Sequence, residues 1–212
     1  MDFEFIKTAF ITMFVAIDPP GLIAIFLSLT AHMTVADRKM TAYHSVTVAL
    51  AILLAAAFGG QATLDLLGIS VPAFRIAGGL LLFYIAFEMV FEKRVERKAH
   101  AAEETIEYDH HKNIAVFPLA IPMMAGPGAI TATILQASHA GDSLLNKGAL
   151  MLVLGAVIGT CLVCFLLANK LDKYLGNNGR VVLSRLLGLL LAALAIQIIG
   201  DGVMAFSSPI VK

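Results

Sequence analysis

Tryptophan is absent from this chain of 212 residues, cysteine occurs twice, and charged side chains make up only 14% of it. Each shortage removes a class of protein. Lys plus Arg number 15 and Asp plus Glu 15, so the formal net charge is zero and no polybasic surface is available for nucleic acid. Cys161 and Cys164 have CxxC spacing, but no second pair or nearby histidine accompanies them. They read as small apolar residues, not as a redox or zinc site. No glycine-rich phosphate loop ending in Gly-Lys-Ser or Gly-Lys-Thr occurs, so the chain is not itself an ATP-driven pump. Asp2 and Glu4 stand where a signal peptide would carry Lys or Arg, and no cleavable leader is expected.

What the chain has in quantity is apolar surface. Hydrophobic residues are 59% of it, and the mean hydropathy is +0.86. A soluble domain cannot hide that much, whereas a protein spread through a bilayer need not. A hydrocarbon layer of roughly 30 Å takes about 20 helical residues to cross. Six stretches qualify, near 3–29, 41–62, 71–91, 114–137, 149–169 and 183–206. The expected fold is an all-α polytopic membrane protein. Tyr43 and Tyr174 serve as interface anchors in place of the missing tryptophan.

Lys and Arg counts set the expected orientation. The loops after spans 1, 3 and 5 hold Arg38, Lys39, Lys93, Arg94, Arg97, Lys98, Lys112, Lys170, Lys173, Arg180 and Arg185, against Lys7, Arg75, Lys147 and Lys212 on the other side. This bias puts both termini on the periplasmic or extracellular side of a cell inner (plasma) membrane. The spans divide three and three. Phe74-Arg75-Ile76-Ala77-Gly78 in the third span matches Ser184-Arg185-Leu186-Leu187-Gly188 in the sixth, and Pro20-Gly21 matches Pro127-Gly128. Residues 1–91 and 114–212 then read as two three-helix repeats. An odd number of spans per repeat makes the second copy inverted. Residues 92–113 join them as a charged cytoplasmic linker, in which Asp109-His110-His111 is too poor a set to bind metal.

Two proline–glycine breaks interrupt spans 1 and 4 at mid-membrane: Asp18-Pro19-Pro20-Gly21 and Gly126-Pro127-Gly128. Such breaks free backbone amides and carbonyls inside the bilayer, which is tolerated only against protein or a water-filled cavity. Paired interruptions in corresponding halves point to a transporter's binding site. Asp18 is a favoured helix cap, with proline in the first helical turn behind it. The second break has no acid, and Thr131 and Thr133 follow it. Free amides beside hydroxyls suit a carboxylate, so a zwitterion would lie with its carboxylate on the Gly126–Thr131 amides and its ammonium near Asp18. Glu88, within about a turn of the cytoplasmic end of its span, can reach the interface, and Gln197 and Asp201 are further intramembrane polar residues. Asp18 and Asp201 as an aspartyl-type hydrolase pair is a remote alternative, because they lie about half a bilayer apart.

Asp18-Pro19-Pro20-Gly21, the stretch Phe74 to Leu82, and Phe117-Pro118-Leu119-Ala120-Ile121-Pro122 running into Ala125-Gly126-Pro127-Gly128-Ala129-Ile130 resemble the MarC family of integral membrane proteins, over nearly the whole chain. The resemblance implies a six-helix inner-membrane protein related to amino acid exporters of the lysine-exporter superfamily, moving neutral amino acids coupled to protons. The family's Asx-Pro-x-Gly motif falls on Asp18, Pro19, Pro20 and Gly21, with Asn common in relatives where this chain has Asp. The expectation is therefore a non-enzymatic secondary transporter without cofactor or metal, with substrate-binding residues Asp18, Pro19, Pro20, Gly21, Gly126, Pro127, Gly128, Ala129 and Thr131. Its partners would be a small zwitterionic amino acid, a coupling proton, the lipid bilayer and a second copy of itself. A passive channel or an accessory membrane subunit is the alternative.

Overall fold

A computed structural model describes residues 3–94, 97, 114–141 and 143–207, with the side chains of 175 and 177 left aside. The expectations for Asp109-His110-His111 and for the linker apart from residues 92–94 and 97 lie outside the described residues. The architecture is all-helical: α1 Phe3–Ile17, α2 Pro19–Leu29, α3 Val35–Leu66, α4 Val71–Val90, α5 Pro127–Ala140, α6 Leu144–Leu166 and α7 Ala168–Ser207, with an irregular segment Ala115–Met124 before α5. No strand occurs among the described residues.

Five helices are long and apolar enough to cross a membrane: Phe3–Leu29, Val35–Leu66, Val71–Val90, Leu144–Leu166 and Asn178–Ser207. A sixth crossing exists if Ala115–Met124 and Pro127–Ala140, bent by 58° to one another, count as one. Of the five straight spans, Phe3–Leu29 is the most enclosed by protein and Val35–Leu66 the least. Leu80, Leu152, Leu189, Leu190 and Ile196 are exposed large apolar residues on the other spans, as lipid contact requires.

The helices run past the apolar stretches that announce them. The second span is expected from residue 41, but α3 starts at Val35 because Thr34 caps it, its Oγ1 accepting from the Asp37 N–H at 3.2 Å. Its 32 residues make a rod of about 48 Å, longer than the hydrocarbon layer. Ser143 extends α6 in the same way, capping through the Asn146 N–H at 3.3 Å. In α7 the left-handed Gly176 (φ 60°) separates a short leading piece from the spanning part.

The main contacts join the first half of the chain to the second. The most extensive pairing is α4 against α7; α3 packs on α5, α6 and the Ala115–Met124 segment, and α1 and α2 pack on α6 and α7. Glycine lets α4 and α7 approach. A Cβ at Gly188 would stand 2.9 Å from the Cβ of Met89 and 3.0 Å from the Ala86 carbonyl. Between α2 and α6, Phe26 stacks on Phe165 with ring centroids 4.4 Å apart.

Candidate functional site

Backbone accounting explains the first break. In an uninterrupted helix the carbonyls of Val15 and Ala16 would accept from the amides of residues 19 and 20, which are prolines and have none. The Asp18 N–H still reaches Phe14 O at 2.9 Å, and Leu22 N–H reaches Asp18 O at 3.2 Å. The helix therefore resumes after one residue, and α1 with α2 forms a single span. Asp18 makes the join in the left-handed conformation (φ 61°, ψ 63°), which Asp and Asn tolerate better than other non-glycine residues. Its Oδ1 accepts from the Gly21 N–H at 3.1 Å. The carboxylate fills the space beside Gly21, where a Cβ would lie 2.2 Å from Asp18 Oδ2. Any larger residue at 21 would push the cap out.

The second break is built differently. Phe117 and Ile121, each preceding a proline, are extended (ψ 119° and 127°), and both X-Pro bonds are cis. Wide turns bridge the interruptions, from Leu119 N–H to Ile114 O at 3.3 Å and from Ala125 N–H to Ala120 O at 2.8 Å. Gly126 is then extended and packs on the Pro122 carbonyl, which would be 2.3 Å from any Cβ. α5 begins at Pro127 with no side-chain cap. The first amide of the α5 end with a backbone acceptor is Ile130, bonded to Gly126 O at 3.0 Å. The N–H groups of Gly128 and Ala129 have no acceptor among the described residues. So the two breaks are not equivalent: the first is straight and capped, the second bent and bare.

A third participant, Arg94, comes from just beyond α4. The sequence reading assigns it to a solvated linker, but it is buried, with 4% of its surface exposed. Its Nη2 donates to Ala16 O, one of the carbonyls orphaned by the prolines, and its Nη1 lies 3.0 Å from Met89 Sδ. Its Nε is buried without a hydrogen-bond partner. Burial lowers the basicity of this guanidinium and Arg97 adds to the effect, while Asp18 and Glu88 oppose it. Glu88 is also a surprise. The sequence suggests that it reaches the interface, yet it is buried and its Oε2 lies 2.7 Å from Arg97 Nη2. That contact is a charge pair without hydrogen-bond alignment, since the same oxygen has no hydrogen-bond partner.

These groups surround a cavity of about 260 Å³, lined by Ala16, Ile85, Arg94, Arg97 and the stretch Pro122–Met124, Gly126–Ala129. Of the residues expected to bind substrate, Gly126, Pro127, Gly128 and Ala129 lie on its wall. Asp18, Pro19, Pro20 and Gly21 stand behind Ala16, and Asp18 is buried and turned onto Gly21. Thr131 presents its methyl to Gly78 on α4, where a Cβ would be 2.8 Å from it. Thr133 bonds back to Ala129 O at 2.7 Å. Asp201 belongs to the other end of α4, since its neighbour Gly202 packs on Arg75 and Pro72. From Arg75 to Glu88 is about 20 Å of helix, so no carboxylate pair forms with Asp18. Arg185 pairs with Glu92 at the opposite end from Arg75.

Arg94 is what sequence reasoning missed. The signal available was the deficit itself: two consecutive prolines in a span leave two carbonyls that need a donor, and a cation shortly after a span carrying Glu88 can supply one.

Apolar outer faces, several membrane-length helices and a charged cavity between them define a multi-pass integral membrane protein. Residues 3–206 match the MarC family integral membrane proteins, and the chain belongs to that family. It is 39% identical over 206 residues to a UPF0056 membrane protein of Methanocaldococcus jannaschii, covering 96% of this chain and 98% of that one. The UPF0056 membrane protein YhcE of Escherichia coli is 37% identical over 205 residues, covering 95% and 93%. A UPF0056 membrane protein of Archaeoglobus fulgidus is 36% identical over 202 residues, covering 94% and 92%. No solved structure matches the chain.

Proposed function

We propose that this protein is a secondary transporter that exports small neutral amino acids across the cell inner membrane, with protons as the coupling ion. The observation that carries the reading is the bare N-terminus of α5 on the wall of a cavity between the helices. Helix N-termini offer unpaired amides and a positive dipole end to an anionic group. Such half-helix ends at membrane depth are how several transporter folds hold a substrate carboxylate. The cavity, at about 260 Å³, is at the small end of ligand sites, which run from about 300 Å³ upward. Apart from its arginines and backbone amides the wall is apolar, which favours a small uncharged side chain. Among the described residues the charges that act on Arg94 balance formally: Arg94 and Arg97 against Asp18 and Glu88. A zwitterion enters that field without upsetting it.

The helix pairings support two inverted repeats as the basis of alternating access. Exchanging the halves turns the α3–α5 contact into the α2–α6 contact and the α4–α5 contact into the α2–α7 contact; all four are present. The excess of Lys and Arg in the loops after spans 1, 3 and 5 supports periplasmic termini. Export is tested by feeding alanine-containing dipeptides to cells with and without the protein and following alanine in the medium. Faster release with the protein supports the reading. Identical release across a panel of neutral amino acids overturns it.

A further inference from the structure

The substrate class of this site is narrower than its apolar wall suggests, because a buried cation and two bare amides face one cavity. We propose that Arg94, together with the N–H groups of Gly128 and Ala129, forms a carboxylate site, and that a free carboxylate is what the protein recognises in its solute. The inference rests on the transport reading for its choice of solute, but not for the site itself.

Three observations support it. First, Arg94 is buried, lines the cavity, and keeps a buried Nε without a partner. Its two present contacts are a carbonyl and a thioether, and neither neutralises a guanidinium. Second, the Asp18 carboxylate, which raises the basicity of Arg94 through space, is committed to the Gly21 amide and forms no ion pair with it. Glu88 faces Arg97 instead. Among the described residues, Arg94 is therefore the buried cation left for a ligand. Third, Gly126, Pro127, Gly128 and Ala129 line the same cavity and begin a helix of 14 residues without a side-chain cap. The corresponding end of α2 has its capping carboxylate built in as Asp18. At the α5 end that place is vacant, and a ligand carboxylate would fill it as Asp18 does for α2. A guanidinium carries the charge that a carboxylate needs, and a ligand would draw its Nη1 donor from the weakly accepting Met89 thioether.

The test uses the purified full-length protein in detergent, with L-alanine as the probe. Competitors are propionate, which lacks the ammonium, and ethylamine and alaninamide, which lack the carboxylate. The site predicts that propionate displaces alanine while ethylamine and alaninamide do not. Arg94→Gln should weaken alanine and propionate binding about 10- to 100-fold, as loss of a charge-assisted bond does. A purely structural role would instead lower the folded fraction and leave the alanine affinity of that fraction unchanged. Arg94→Lys should recover part of the difference. Equal alanine affinity in wild type and Arg94→Gln overturns the proposal. So does displacement by ethylamine but not propionate, and so does failure of wild type to bind either carboxylate at millimolar concentration. If Arg94→Gln does not fold, the wild-type competition series decides alone. Binding of alanine and propionate without flux in liposomes leaves the carboxylate site standing and removes the exporter.

Discussion

Asp18 has two local tasks, and a series of substitutions separates them. Its carboxylate caps α2, and its backbone sits in the left-handed region. Alanine performs neither task. Losing an N-cap costs about 1 kcal/mol, and holding a residue with a Cβ in the left-handed conformation costs about 1–2 kcal/mol. Asp18→Ala should therefore destabilise by about 2–3 kcal/mol. Glycine accepts the conformation but lacks the cap, so Asp18→Gly should cost about 1 kcal/mol, including its greater freedom when unfolded. Asparagine keeps both the acceptor and the tolerance of positive φ, and should lie within about 1 kcal/mol of wild type. The assay is unfolding of the purified protein in mixed micelles by added denaturing detergent, followed by circular dichroism. The predicted order of stability is Asn above Gly above Ala. Asp18→Ala as stable as wild type, or Asp18→Asn as damaged as Asp18→Ala, would refute the account of this break.

Other consequences follow from close contacts. Gly126→Ala brings a methyl to 2.3 Å from the Pro122 carbonyl, a backbone atom that cannot step aside; it should abolish alanine flux, measured in liposomes. Gly188→Ala forces α4 and α7 apart at the Ala86 carbonyl and should cost about 1–3 kcal/mol in the same unfolding assay. Gly155→Ala in α6 meets nothing within 4 Å and should be neutral or slightly stabilising, by up to about 1 kcal/mol. Since Asp18 stands behind the cavity wall, Asp18→Asn should retain alanine flux within about threefold, a change worth under 1 kcal/mol. An unchanged pH profile in that variant would remove Asp18 from proton coupling as well.

The helical architecture was legible because long apolar runs admit few other structures in a bilayer. The capping role of Asp18 was legible too, since Asp-Pro-Pro-Gly is a helix-start pattern wherever it occurs. Helix ends were less so. Thr34 and Ser143 extend α3 and α6 through polar residues that hydropathy discounts. The contrast between the two breaks was legible in part, since only the first carries an acid and Pro118 and Pro122 mark an irregular or kinked half-span before the second; the size of the bend was not. It depends on Pro118 and Pro122, which leave Phe117 and Ile121 extended so that the approach to α5 bends. Arg94 was hidden for another reason. A charged residue in a charged segment reads as solvated, and only the three-dimensional position of the Ala16 carbonyl shows what its guanidinium can reach.

The claim at the centre is that the cavity beside α5 carries a neutral amino acid through the membrane. Alanine uptake into liposomes containing the protein, measured against concentration with and without a pH gradient, tests it most directly. The account predicts a saturable flux that the gradient accelerates. A flux linear in concentration and indifferent to the gradient, or none above protein-free liposomes, would contradict it.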